Sequence, residues 1–222
     1  DAAPGTPDAA PGTPDAAPTG ACGTCIASGG SCSGAPGSET CTVSNPGAGK
    51  FDCGGVACDV TCNIVDGCKN SEVQCAAGQS CTVSCASNSA CDSVECSGAG
   101  TCTIDCTADV SCKGTTTCSA NSCDINCSGE DTCTGATECT GGTDCSIDCG
   151  SSACAGNVTC DVSGTCTIAC EDEGCNNTNT CTANSCDITC SEDGETSGCN
   201  ASRSCSVGNG TCTRSIDACI CN

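Results

Sequence analysis

The chain contains no His, Met, Trp or Tyr, and its one Phe is Phe51. Without His the commonest general base is missing, and with it the Ser-His and Cys-His nucleophile pairs; the lack of Tyr removes another proton carrier. An enzyme is therefore not expected, and the reading assigns no catalytic, cofactor-binding or metal-ligating residue. Large side chains are so few that a conventional hydrophobic core is excluded, because one Val or Ile per coil cannot offset an ordering cost of about 1.5 kcal/mol per residue. No apolar run approaches the roughly 20 residues that a membrane-crossing helix needs, so no transmembrane segment is expected. Positive charge is scarce as well. The five bases Lys50, Lys69, Lys113, Arg203 and Arg214 face 27 acids, a net charge of −22, and so anionic a surface is a poor partner for nucleic acid. The absence of Met even at position 1 reads as a mature chain from which a targeting segment has been removed.

Cysteine is what the chain has instead. It supplies 36 of 222 residues, a density that marks a disulfide scaffold and an extracellular or cell-envelope setting in which thiols oxidise. The cysteines are periodic. Openings of the form C-x-[VI]-x-C recur every 20 to 23 residues as Cys58-Val60-Cys62, Cys81-Val83-Cys85, Cys102-Ile104-Cys106, Cys123-Ile125-Cys127, Cys145-Ile147-Cys149, Cys166-Ile168-Cys170 and Cys186-Ile188-Cys190. Degenerate copies flank them at Cys41-Val43 and Cys205-Val207. A third cysteine follows in each repeat, as at Cys91, Cys112, Cys133 and Cys154, and then a fourth, as at Cys96, Cys118, Cys139 and Cys160. Such a period is the signature of a solenoid, whose coils bury their inner faces against one another.

The residues between cysteines are mostly Gly, Ser, Thr, Asn and Asp, all mediocre or poor in helix interiors. Alternation suits strands instead: in Cys102-Thr103-Ile104-Asp105-Cys106 the Cys, Ile and Cys share one face and Thr and Asp the other. The third and fourth cysteines are read as lying in shorter strands bounded by turns. The expected fold is all-β, a narrow, three-sided, disulfide-laddered β-solenoid of about 8–9 short coils with an extended N-terminal tail. Cysteines at i and i+4 of a strand stand about 13 Å apart, beyond the roughly 7 Å Cα limit of a disulfide. The two cysteines of one opening should therefore not pair with each other. Their partners are the third and fourth cysteines of the same coil or equivalents one coil away, and the even count permits 18 bridges.

Four stretches divide the chain. Residues 1–21 form a low-complexity tail, with Asp-Ala-Ala-Pro-Gly-Thr-Pro repeated and no cysteine before Cys22; it should be extended. Residues 22–57 form an irregular N-terminal coil or cap, 58–204 the repeats, and 205–222 a C-terminal coil or cap. The tail resembles the spacers that follow the lipid-attachment cysteine in Gram-negative envelope lipoproteins. The C-x-[VI]-x-C array over Cys58 to Cys190 resembles cysteine-rich secreted β-helix-like repeat proteins, a likeness that implies fold and compartment.

Acids gather in the turns, at Glu130-Asp131, Glu171-Asp172-Glu173 and Glu192-Asp193-Gly194-Glu195. They read first as solvated turns and secondarily as oxygen ligands for Ca²⁺, without any calcium-loop pattern. The triplet Thr-Cys-Thr, starting at 40, 101, 132, 165, 180 and 211, resembles the ice-binding triplet of insect antifreeze proteins, although Asp interrupts the implied ladder. The leading expectation is a structural extracellular rod, read as a filament or appendage subunit that self-associates head to tail, its tail docking along a neighbour's strand edge. A tethered envelope stalk and an ice-binding solenoid are the alternatives.

Overall fold

A computed structural model describes residues 21–171 and 173–190, together with the backbone of three strands within 203–221. The openings form one sheet: β2 (Thr40–Ser44), β4 (Ala57–Cys62), β6 (Ser80–Cys85), β8 (Thr101–Cys106), β10 (Ser122–Cys127), β12 (Asp144–Cys149), β14 (Thr165–Cys170), β16 (Ser185–Cys190) and β18 (Cys212–Arg214), stacked in that order. The strands between them form a second sheet: β3 (Gly49–Asp52), β5 (Ser71–Gln74), β7 (Val94–Ser97), β9 (Thr116–Ser119), β11 (Thr137–Thr140), β13 (Val158–Asp161), β15 (Asn179–Ala183), β17 (Arg203–Val207) and β19 (Ile220–Cys221). Neighbouring coils pair in parallel and in register, Cys102 opposite Cys123, Cys123 opposite Cys145 and Cys145 opposite Cys166. The protein is thus a β-solenoid with a disulfide-rich repeat of about 21 residues.

Register turns the lone aliphatic of each opening into a column. Val43, Val60, Val83, Ile104, Ile125, Ile147, Ile168 and Ile188 lie one above another and all are buried. The facing column on the second sheet is Phe51, Val73, Cys96, Cys118, Cys139, Cys160 and Cys181, so Phe51 stands where later coils carry their fourth cysteine. A core two side chains thick is all that so lean a sequence can fill. Each member touches its copies above and below, so apolar area is buried even though each coil has little of it.

Fifteen disulfides join cysteines of the described residues. The second cysteine of an opening pairs with the third of its own coil, as in Cys62–Cys68, Cys106–Cys112 and Cys149–Cys154. The fourth pairs with the first of the next coil, as in Cys75–Cys81, Cys96–Cys102 and Cys118–Cys123. Within the described coils no opening bridges itself. Both kinds of bridge are corner staples between residues five or six apart in sequence, as in Cys149–Cys154 and Cys96–Cys102; backbone hydrogen bonds hold coil to coil.

Three expectations need correction. The third side is made of turns rather than strand. Cys112, Cys133 and Cys154 have left-handed backbones, φ 52°, 49° and 45°, because each follows a β-turn such as Gly150–Ala153, closed by the Ala153 N–H donating to the Gly150 carbonyl at 3.1 Å. The copy at Cys205-Val207 is not an opening: Cys205 is in register with Cys181 of the second sheet, and Cys212 with Cys186 of the first. The sequence spacing could not reveal this shift, because an extra stretch separates Cys190 from β17. Finally, one helix forms despite the composition, α1 (Ala21–Ala27). It carries Cys22 and Cys25 one turn apart, and their bridges to Cys32 and Cys41 fasten it over the stack. With β1 (Ser31–Ser33), which pairs antiparallel to β2, it covers the N-terminal edge of the first sheet.

The turns store strain at one identifiable place. The residue two before the third cysteine is left-handed in coil after coil, at Ser89, Val110, Asp131 and Ser152, and Val110, at φ 59°, is β-branched, the residue type least suited to that region. Its N–H donates to the Glu130 carbonyl at 2.8 Å, a bond any non-proline residue keeps. Val110→Asn is expected to stabilise the protein by about 1 kcal/mol, read as a higher denaturant midpoint with unchanged slope.

Candidate functional site

With the openings and third and fourth cysteines committed to bridges, chemistry is left to the outward-facing residues. The singled-out Cys58, Cys62, Cys81, Cys85, Cys102, Cys106, Cys123, Cys127, Cys145, Cys149, Cys166, Cys170, Cys186 and Cys190 are all buried, as are the seven Val and Ile residues between them. They form the interior and present nothing to solvent.

The outer face of the first sheet carries two flanking columns. One runs Ser80, Thr101, Ser122, Asp144, Thr165, Ser185 and the other Thr82, Thr103, Asp124, Ser146, Thr167, Asp187. Carboxylates interrupt both. Of the Thr-Cys-Thr triplets, those at 40, 101 and 165 lie on this sheet, in coils that are not adjacent. The triplet at 180 lies on the second sheet. Thr132 is buried in a turn, its hydroxyl donating to the Gly129 carbonyl at 2.9 Å, and the triplet at 211 extends outside the described residues. A shallow groove of about 400 Å³ crosses the sheet between Asp124, Asp144 and Thr167.

One carboxylate on this face is perturbed. Partial burial holds Asp105 above its ordinary value of 3.8, the neighbouring Asp124 charge pushes in the same direction, and the Asn126 side chain, one coil along in register, opposes them by hydrogen bonding to the carboxylate. Counting acids in the sequence could not single it out, since its burial and the approach of Asp124, 19 residues away, both arise only when one coil lies on the next. The sign follows from linkage. A carboxyl whose folded value is raised favours the folded state when protonated, so its ionisation lowers stability as pH rises through the raised value. Asp105→Asn, which keeps an acceptor for Asn126, is therefore expected to unfold at a higher temperature than the parent near pH 7. The difference should close as the pH falls below the ordinary carboxylate range, and an unchanged difference at pH 3 would count against burial and charge as its cause.

The second sheet shows its own pattern. Lys50, Glu72, Glu95, Thr117 and Glu138 follow one another along its outer face, and Lys50 pairs with Glu72 at 3.5 Å. Both groups are exposed and the pair stabilises little. On the turn side Lys69 meets Asp66 at 3.6 Å; of the acids read secondarily as calcium ligands, Glu130, Asp131 and Glu171 are exposed and Glu173 is half-buried, while Asp172 and 192–195 lie outside the described residues. Ile64 and Val65 are the most exposed large apolar residues of the described chain, at 55% and 64%.

Among the described residues no helix is long and apolar enough to cross a membrane. The fifteen bridges point to an oxidising environment outside the cytosol. Comparison of the chain with known protein families, with curated proteins and with solved structures finds no match.

Proposed function

We propose that the protein is a structural element of the extracellular or envelope surface, a stiff and protease-resistant rod. The observation that carries this reading is the stapling of the coils from Cys58 to Cys181 at two corners around a continuous aliphatic column. Rigidity is thereby distributed along the whole length and does not depend on one large core. The outer surface is acidic, shallowly grooved and hydroxyl-rich, suited to staying soluble beside a cell surface.

Whether rods act singly or in filaments turns on their ends. The first sheet is covered at its N-terminal edge by β1 and α1, which disfavours coil-on-coil stacking there. The outer edge of β3 has no strand partner among the described residues, which favours the filament version through strand addition on the second sheet alone. The tail expected to supply such a strand lies outside the described residues. Interrupted hydroxyl columns give ice binding no comparable support.

Electron microscopy of the non-reduced protein tests the proposal. Isolated rods roughly 40 Å long, from nine or so strand spacings, would support a single stalk, and fibres with a similar axial repeat a filament subunit. Flexible or collapsed particles would overturn both versions, as would thermal hysteresis abolished by a bulky residue at Thr103 or Thr167.

A further inference from the structure

Register aligns sulfur as well as carbon. Cys62 is in register with Cys85 and Cys85 with Cys106, so the staples at that corner lie over one another. The Cys62 sulfur lies within 4.8 Å of both sulfurs of the Cys85–Cys91 bridge, and Cys85 stands in the same relation to Cys106–Cys112, and Cys106 to Cys127–Cys133. At the other corner the four sulfurs of Cys53–Cys58 and Cys75–Cys81 share one such cluster, with Cys53 Sγ 3.7 Å from Cys75 Sγ. All these cysteines are buried. The bridges of successive coils therefore form a sulfur column with no other side chain needed between them.

We infer that this column is a thiol–disulfide relay, along which a thiolate placed in one coil migrates to the next by exchange with that coil's bridge. Exchange proceeds by thiolate attack on a disulfide sulfur, with the other sulfur leaving. A Cys62 thiolate attacks Cys91 Sγ; the Cys62–Cys91 bond forms, the Cys85–Cys91 bond breaks, and Cys85 departs as the thiolate with the electron pair. Cys85 then faces Cys112 and expels Cys106, which faces Cys133. Each step consumes one thiolate and one disulfide and returns one of each, so nothing is oxidised or reduced overall and no proton need move. In the unmodified protein a dithiol reductant starts the process, being oxidised to its own disulfide as one bridge becomes two thiols. The consequence is a rod in which a lesion in one staple is shared along the axis.

Cys68→Ser tests this without any reductant, since it leaves Cys62 as a thiol facing Cys85–Cys91. The folded variant is held at pH 8, quenched in acid, unfolded in guanidinium chloride, alkylated with N-ethylmaleimide and mapped by peptide mass spectrometry. Because the exchanging sites are nearly equivalent, the label on Cys62 is expected to fall to roughly half or less, the remainder appearing at Cys85 and Cys106, at a rate independent of protein concentration. Label confined to Cys62, or a rate that scales with concentration, overturns the relay. Should that variant fail to fold, Cys58→Ser leaves Cys53 next to Cys75. Attack there expels Cys81, so label moving from Cys53 to Cys81 supports the inference and label remaining on Cys53 refutes it.

Discussion

Full reduction in native buffer is expected to unfold this protein, with loss of its strand circular dichroism and a rise in proteolysis of more than roughly a hundredfold. Each staple closes a loop of only six or seven residues, and the chain-entropy estimate for so short a loop is about 2 kcal/mol. The net stability of a domain is commonly about 5–15 kcal/mol, so several staples together match all of it. The described core offers no reserve, since its largest fully buried side chains are Ile104, Ile125, Ile147 and Ile168. Locality gives the prediction a second part. Removing one staple, as in Cys149→Ser with Cys154→Ser, should cost about 2 kcal/mol and loosen its own coil and its neighbours while leaving the array folded, because coils interact only with adjacent coils. Both parts are read by hydrogen exchange with peptide resolution. Retention of full strand signal after complete reduction would show that the staples are not what holds the coils folded.

Gly156→Ala should be strongly damaging, costing about 3 kcal/mol in spite of the gain that replacing Gly usually brings through the unfolded chain. The reason is close approach, not an unusual φ. A Cβ at Gly156 would fall inside 3.0 Å of the Gly135 carbonyl carbon and oxygen, one at Gly135 would meet the Gly114 carbonyl in the same way, and one at Gly114 would come within 2.8 Å of the Asp92 carbonyl oxygen. These are backbone atoms fixed by the register of the coil before, so no rotamer change relieves the clash and the coils must part. The three glycines form a column just past the third cysteine, where Cys112, Cys133 and Cys154 turn left-handed and the chain needs four residues to reach Thr116, Thr137 and Val158. Thermal unfolding checks it: Gly156→Ala should melt well below the parent, and Ser151→Ala, on an exposed position of the turn before Cys154, should not.

This glycine column shows where a linear reading stops. Each glycine looks like ordinary turn punctuation, and only when consecutive coils are superposed does Gly156 prove to lie against Gly135. Asp105 is similar. It is one acid among 27 until the parallel pairing of β8 with β10 sets it beside Asn126 and diagonal to Asp124. The Thr-Cys-Thr triplets gave the opposite lesson, being alike in sequence yet distributed over two sheets and a turn.

The period, the strand character of C-x-[VI]-x-C, the inward column of Val and Ile, and the rule that the cysteines of one opening do not bridge each other all followed from residue types, alternation and the 3.3 Å or so rise of a strand. They are consequences of local geometry, and local geometry is written in order along the chain. The choice among bridge partners, the replacement of a third strand by left-handed turns, the assignment of Cys205 and Cys212 to opposite sheets, and the contact between successive bridges waited on the closed coil. Each depends on which residue comes to lie 4.8 Å or so above which other, a distance across the stack that is fixed only when every coil has the same circumference.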